Sequence, residues 1–201
     1  MNKGILFIIS GPAGSGKGTV VKELIDSYDD IELSISATTR QPRPGEENGV
    51  HYHFITKEDF ENRIANGEIL EYTTYCDNYY GTPAKEVKEA LHRGKDVILE
   101  IEVDGAMQVK KKMRGAVTIM LTPPDGATLE RRLRSRGTED EEKIAWRLGR
   151  AKEELALIPK YDYSVVNEDG KVKECASLIY NIIKAEHAKT KHTKKIIKKF
   201  I

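Results

Sequence analysis

Five consecutive apolar residues, Ile5-Leu6-Phe7-Ile8-Ile9, run almost directly into Gly11-Pro12-Ala13-Gly14-Ser15-Gly16-Lys17. A continuous branched run bounded by a glycine-rich turn is the pattern of a strand buried on both faces, as in a parallel sheet. The segment Thr19 to Tyr28 then carries Val20, Val21, Leu24 and Ile25 at helical spacing. Strand, glycine loop and helix in this order make a βα unit that opens an α/β fold.

The glycine segment fits the first seven positions of the P-loop pattern, between a strand and a helix as that pattern requires. Glycines let the backbone wrap closely, so that several N–H groups converge on phosphate oxygens. The following helix adds its positive end, and Lys17 a mobile charge for β- and γ-phosphates. Expected donor-binding residues are therefore Gly11, Pro12, Ala13, Gly14, Ser15, Gly16, Lys17, Gly18 and Thr19. The pattern wants Ser or Thr after the lysine to bind Mg²⁺, and Gly18 stands there instead. Thr19, water or a carboxylate such as Glu100 is left to hold the ion. The Gly16-Lys17-Gly18-Thr19 ending is similar to that of adenylate kinases.

At 201 residues the chain can bury one substantial core with small insertions, and 39% apolar against 32% charged residues suits an ordinary globular protein. A net charge of +1 favours no particular partner, so neither nucleic acid nor membrane is expected. Cys76 and Cys175 match no metal spacing and read as reduced thiols. The first apolar run is too short for a signal-peptide core or a bilayer span, so a soluble, cytoplasmic protein is expected. The terminal Lys189, Lys191, Lys194, Lys195, Lys198 and Lys199 read as a solvated helix end.

Further along, Leu33 to Ser36 alternates like a short strand, and Thr38 to His53, with Pro42, Pro44, Gly45 and Gly49, reads as a functional loop. Thr56 can cap a helix from Lys57 to Asn66 that Gly67 ends. Ile69 to Tyr75 looks like a strand, and Pro83 can start a helix that Gly94 ends. Asp96 to Ile101, Val117 to Leu121 and Tyr163 to Val166 read as further strands. Thr128 to Arg134, Glu141 to Leu157 and Val172 to Lys189 read as helices.

A second set of motifs narrows the chemistry. Ser36-Ala37-Thr38-Thr39-Arg40-Gln41-Pro42-Arg43-Pro44-Gly45-Glu46, then Gly49-Val50-His51-Tyr52, Glu71, and Asn78-Tyr79-Tyr80-Gly81-Thr82, resemble in order the signature of guanylate kinases. The resemblance spans Gly11 to about Asn167. It implies ATP as donor with Mg²⁺, GMP and also dGMP as acceptors, and an acceptor site at Ser36, Arg40, Arg43, Glu46, Tyr52, Glu71, Tyr80 and Thr82. These residue types suit that ligand. A dianionic phosphate prefers the planar, bidentate donors of Arg40 and Arg43. A carboxylate at Glu71 can accept from both N1–H and N2–H₂ of guanine, and hydroxyls at Ser36 and Thr82 can donate to O6. Adenine presents a different edge and would leave such groups unpaired. At least one of Tyr79 and Tyr80 reads as a packing residue.

Glu100 and Glu102 end a strand with alternate carboxylates, which period two puts on one side, where they can orient Mg²⁺ or meet the acceptor. The arginine-rich stretch resembles a guanylate kinase lid carrying Arg132, Arg136 and Arg147, which with Lys17 and Arg40 are the expected catalytic cations. Arg131, Arg134 and Arg150 read as solvated charge paired with Glu139 to Glu142. Trp146 reads as lid packing, and Asn167 resembles a residue near the donor adenine.

The expected architecture is an α/β P-loop NTPase fold in three layers, with a parallel five-stranded core sheet, a small acceptor-binding α+β insertion and a mobile helical lid. The core takes 1–36, 85–124 and 158–201, the insertion 37–84 and the lid 125–157. A homo-oligomer is left open. Two other readings stand beside this one. Another small-molecule kinase is opposed by Glu71 with Ser36 and Thr82. A non-catalytic guanylate-kinase-like binding domain is opposed by the intact loop and Lys17.

Overall fold

The computed structural model of the chain describes residues 3–135, 137 and 140–190. In chain order its elements are β1 (Leu6–Ser10), α1 (Lys17–Ser27), β2 (Ile31–Leu33), β3 (Ala37–Thr38), β4 (His53–Phe54), α2 (Lys57–Ala65), β5 (Ile69–Tyr75), β6 (Asn78–Pro83), α3 (Ala84–His92), β7 (Asp96–Glu100), α4 (Val103–Lys112), β8 (Val117–Thr122), α5 (Gly126–Ser135), α6 (Glu141–Leu155), β9 (Tyr163–Val166) and α7 (Val172–Ala188).

β1 is buried along its whole length because it is the central strand of a parallel sheet ordered β2-β7-β1-β8-β9. Its side chains alternate between two cores. Phe7 and Ile9, with Ile5 just before the strand, pack with Val20, Val21 and Leu24 of α1 and with Ile179 and Ile183 of α7. Leu6 and Ile8 face the other way, onto Val87 and Leu91 of α3 and Val103 and Val109 of α4. Helices on both faces of one sheet make three layers, and each fully buried Leu, Ile or Phe contributes about 1.5–3 kcal/mol. The chain leaves β1 toward β2 on one side and reaches β8 on the other, so a crevice opens beyond the carboxyl ends of the strands around β1.

A second sheet, β4-β3-β6-β5, is made wholly by strands between Ala37 and Pro83. Phe60 of α2, fully buried, seals it against Ala37 and Ile69. β5 and β6 are joined at Cys76 and Asp77, both left-handed with φ of 47° and 60°. The open edge of β5 is covered by side chains of α4. The Gln108 amide accepts from Tyr72 N–H at 3.3 Å and donates to Tyr72 C=O at 3.1 Å, and Lys112 Nζ donates to Ile69 C=O at 3.1 Å. The inserted sheet is thereby fastened to a core helix. α5 and α6 pack on each other through Leu129, Leu133, Leu148 and Ala151, with Ala13 of the glycine loop in the same cluster.

Thr56 caps α2 as expected, accepting from Asp59 N–H at 3.1 Å, and Gly67 and Gly94 take left-handed φ after α2 and α3. The expected strand over Leu33–Ser36 is displaced: β2 ends at Leu33, and Ser36 lies before β3. The helix α4 and strand β6 were not expected at all. Trp146 is corrected outright. Ile144, Leu148 and Ala151 turn inward at helical spacing, which puts Trp146 on the outer face, 67% exposed. The tail from Lys191 onward lies outside the described residues. Lys189 within them pairs with buried Glu186 at 2.5 Å. Among the described residues no helix is long and apolar enough to cross a membrane.

Candidate active site

The glycine loop leaves β1 and enters α1 at Lys17. Gly14 and Gly16 hold φ of 90° and 89°, where a side chain is strained. Close approach adds a second reason. A Cβ on Gly16 would sit 2.3 Å from Asn167 Nδ2, and one on Gly11 would sit 2.1 Å from the Leu121 carbonyl. Asn167, buried after β9, donates its amide to the Ser15 carbonyl at 2.8 Å. Arg132 of α5 reaches the same place. It donates to Asn167 C=O at 2.8 Å, lies 3.4 Å from Ser15 C=O, and binds Asp169 at 2.6 Å. That ion pair holds the Asp169 carboxyl below its usual range. Asn167 and Arg132 therefore brace the loop from outside. Asp169 escaped the sequence reading, and its signal is only its place two residues after Asn167.

Lys17 is folded onto its own loop, donating to Gly11 C=O at 2.5 Å with Glu102 at 3.4 Å. Glu100 and Glu102 do converge, but differently. Glu100 is half-buried at the end of β7, and burial raises its pKa against the pull of Lys17. Glu102 is the N-cap residue of α4 and is largely exposed. The Glu100 carboxylate lies 3.5 Å from where a Cβ on Gly18 would be. Thr19 is exposed on α1. One hard carboxylate beside a phosphate loop, with no group of three or more acidic, His or Cys ligands among the described residues, fits Mg²⁺, which keeps most of its water.

On the inserted sheet, Arg40 is held by Glu46 in a two-point pair at 2.9 Å and 2.9 Å. Its guanidinium lies 5.5 Å from the Tyr52 ring centroid and 5.7 Å from that of Phe54. Glu46 also accepts from Arg43 N–H at 2.7 Å, and these donors drop its carboxyl to about 2, the Arg40 hydrogen bond first. The Arg43 side chain is exposed. Tyr52 meets Tyr80 edge-on at 6.0 Å. Burial pushes the Tyr52 hydroxyl pKa up, and Glu100 of the core is among the charges acting on it. Glu100 is thus a core residue that borders Gly18 of the glycine loop and also acts on Tyr52 of the inserted sheet.

Glu71 is buried on β5 of the same sheet. Its Oε1 accepts from the Thr82 hydroxyl at 2.7 Å, and burial raises its pKa despite that bond. The expected donation from Thr82 to a base O6 competes with this bond, because a hydroxyl has one proton. Ser36, partly buried, gives its carbonyl to His53 N–H at 2.9 Å. Tyr79 is the packing tyrosine of its pair, stacked on Phe60 at 5.1 Å. Arg147 is partly buried on α6, and Arg136 lies outside the described residues. Arg134 pairs with Glu141 as expected, but Arg131 pairs with Asp169, and Arg150 with Asp104 and Glu154. Those two correct the expected pairing with 139–142: the fold brings Asp169 to Arg131 and Asp104 to Arg150, and Glu154 lies one helical turn beyond Arg150.

A glycine-rich loop between the central strand of a three-layer parallel sheet and the helix that begins at Lys17 makes this a P-loop protein. Residues 3–186 match the family model described as guanylate kinase. The guanylate kinase of Latilactobacillus sakei is 49% identical over 187 residues, 92% of this chain and 91% of that one. That of Streptococcus thermophilus is 52% identical over 186 residues, covering 92% and 88%. The crystal structure of guanylate kinase from Anaplasma phagocytophilum superposes with a TM-score of 0.73 at 34% identity, covering 94% of this chain and 89% of that one. The chain belongs to the guanylate kinase family.

Proposed function

We propose that this protein transfers the γ-phosphoryl group of ATP to GMP, giving ADP and GDP, with dGMP as a second acceptor. The observation that carries the reading is the Arg40–Glu46–Tyr52–Tyr80 group on the inserted sheet, which also holds a buried carboxylate, Glu71, with Glu100 of the core bordering Gly18 and acting on Tyr52. A phosphate monoester fits that group and a guanine edge fits the buried carboxylate.

In this reading the loop amides from Gly11 to Gly18 hold the donor phosphates, and Lys17 exchanges the Gly11 carbonyl for a phosphate oxygen. Arg40, Arg43, Tyr52 and Tyr80 hold the acceptor phosphate in line, and Glu46 keeps Arg40 aimed. The acceptor oxygen is already anionic near neutral pH, so catalysis is positioning and charge stabilisation and requires no general base. Arg132, Arg136 and Arg147, carried on a lid over 125–157, close over the equatorial oxygens and exclude water. Glu100, with Thr19 nearby, would hold Mg²⁺ through water. The ion, when bound, neutralises charge on the transferring phosphates.

The test is ADP formation in the presence of Mg²⁺ with GMP, dGMP, IMP and AMP side by side. Turnover with GMP and dGMP far above AMP is expected. Absence of ADP formation with GMP, or equal turnover with AMP, would overturn the reading.

A further inference from the structure

Glycine is a poor residue for the inside of a helix, so Gly105, third in α4, asks for a reason. A Cβ built there would lie 2.6 Å from Glu71 Oε2 and 3.2 Å from Glu71 Cδ, with Ile101 Cδ1 at 3.4 Å on another side. The near atom belongs to a side chain, but not to a free one. Glu71 is 5% exposed and its other oxygen is tied to Thr82 at 2.7 Å. Its backbone is in β5, which Gln108 and Lys112 fasten to the same helix. A methyl group at position 105 would therefore have to turn the carboxylate and break the Thr82 bond.

We propose that Gly105 is a specificity-determining position for the acceptor base: its bare backbone lets the first turn of α4 lie flush against the Glu71 carboxylate and fix the plane in which that group meets the base. The proposal rests on the reading of Glu71 as the base-recognising group. Gly105 acts through Glu71 and is a positioning residue. The surface of α4 does two things at once here, since it carries the sheet edge on Gln108 and Lys112 and backs the carboxylate at Gly105. The first intrahelical bond of α4 runs from Ala106 N–H to Glu102 C=O, so the turn against the carboxylate is the helix's positive end.

The experiment is a double-mutant cycle on the full chain with Gly105→Ala and Glu71→Ala, reading kcat, KM and melting temperature with GMP, IMP and AMP. Gly105→Ala alone should raise KM for GMP about ten-fold with kcat within about two-fold, and narrow the GMP-over-IMP preference, because IMP lacks the N2 amine. In the Glu71→Ala background the carboxylate is gone, the methyl fits, and Gly105→Ala should leave KM unchanged and raise the melting temperature. If Gly105→Ala fails to fold alone, the double variant must fold. An unchanged KM for GMP in Gly105→Ala, or an equal loss in both backgrounds, overturns the proposal. If Glu71→Ala itself keeps the full GMP-over-AMP preference, the base-recognition reading falls, and this proposal with it.

Discussion

Three side chains at the site carry charge into partly buried surroundings, and each has a different consequence. Lys17 rests on the Gly11 carbonyl and beside Glu102. Lys17→Ala removes the mobile cation without opening a core cavity, so turnover should fall by about 10³-fold or more while far-UV circular dichroism is unchanged. Near-normal turnover would remove the phosphate-loop assignment. Glu46 is pinned by Arg40, with its carboxyl near 2 against an ordinary 4.5. A depressed folded-state value means a stabilising contribution present above the ordinary value and lost as pH falls from about 4.5 toward 2. Glu46→Gln should abolish that acid-side loss in thermal melts and raise KM for GMP roughly ten-fold, since Arg40 loses its two-point partner. Glu71 has the opposite sign. Burial raises its pKa, so the fold favours the protonated form, and stability is lost as pH rises through that raised value. Glu71→Gln should raise the melting temperature at neutral pH while weakening discrimination between GMP and AMP. An unaltered GMP-to-AMP ratio in kcat/KM would contradict the proposed base contact.

At the scale of elements, caps and glycines decided what could be read in advance. α2 announces itself because Thr56 and Gly67 bracket it and both act as their chemistry requires. α4 is silent because its N-cap residue, Glu102, makes no side-chain cap bond, its first turn contains Gly105, and its burial comes from Val103, Ala106 and Val109 packing on a sheet built from distant sequence. The strand β6 is hidden by Gly81 and Pro83, which read as turn and helix start, yet pairing with β3 and β5 overrides both. The turn between β5 and β6 offers a clean test. Cys76 and Asp77 occupy the two left-handed positions that Asn and Gly occupy most readily. Replacing the pair, Cys76→Asn with Asp77→Gly, should stabilise the protein by about 1 kcal/mol in urea unfolding, with no change in KM for GMP.

For the molecule as a whole, the glycine loop and the arginine segment at Arg40 and Arg43 were legible because each is a local motif. The place of Glu100, beside Gly18 and acting on Tyr52, was not, because it is set by the topology of two sheets. The bracing of the loop by Asn167 and Arg132 is equally a product of distance, spanning more than a hundred residues. If the two surfaces bind the two nucleotides end to end, a single molecule carrying adenosine and guanosine joined through a polyphosphate should raise the melting temperature more than ATP and GMP analogues added together at the same concentration. A shift no larger than that of the better single nucleotide would separate the two surfaces.

The position of β1 has a consequence for biosynthesis. β1 leaves the ribosome long before the strands that enclose it, because its neighbours pair as Leu6 with Val97 and Phe7 with Val117. Until those partners emerge, Leu6-Phe7-Ile8-Ile9 is a naked adhesive stretch on the nascent chain. Release of arrested chains truncated before about Val117 should therefore yield aggregates or chaperone-held species, and extension through α7, which covers one face of β1, should be the point at which protease resistance appears.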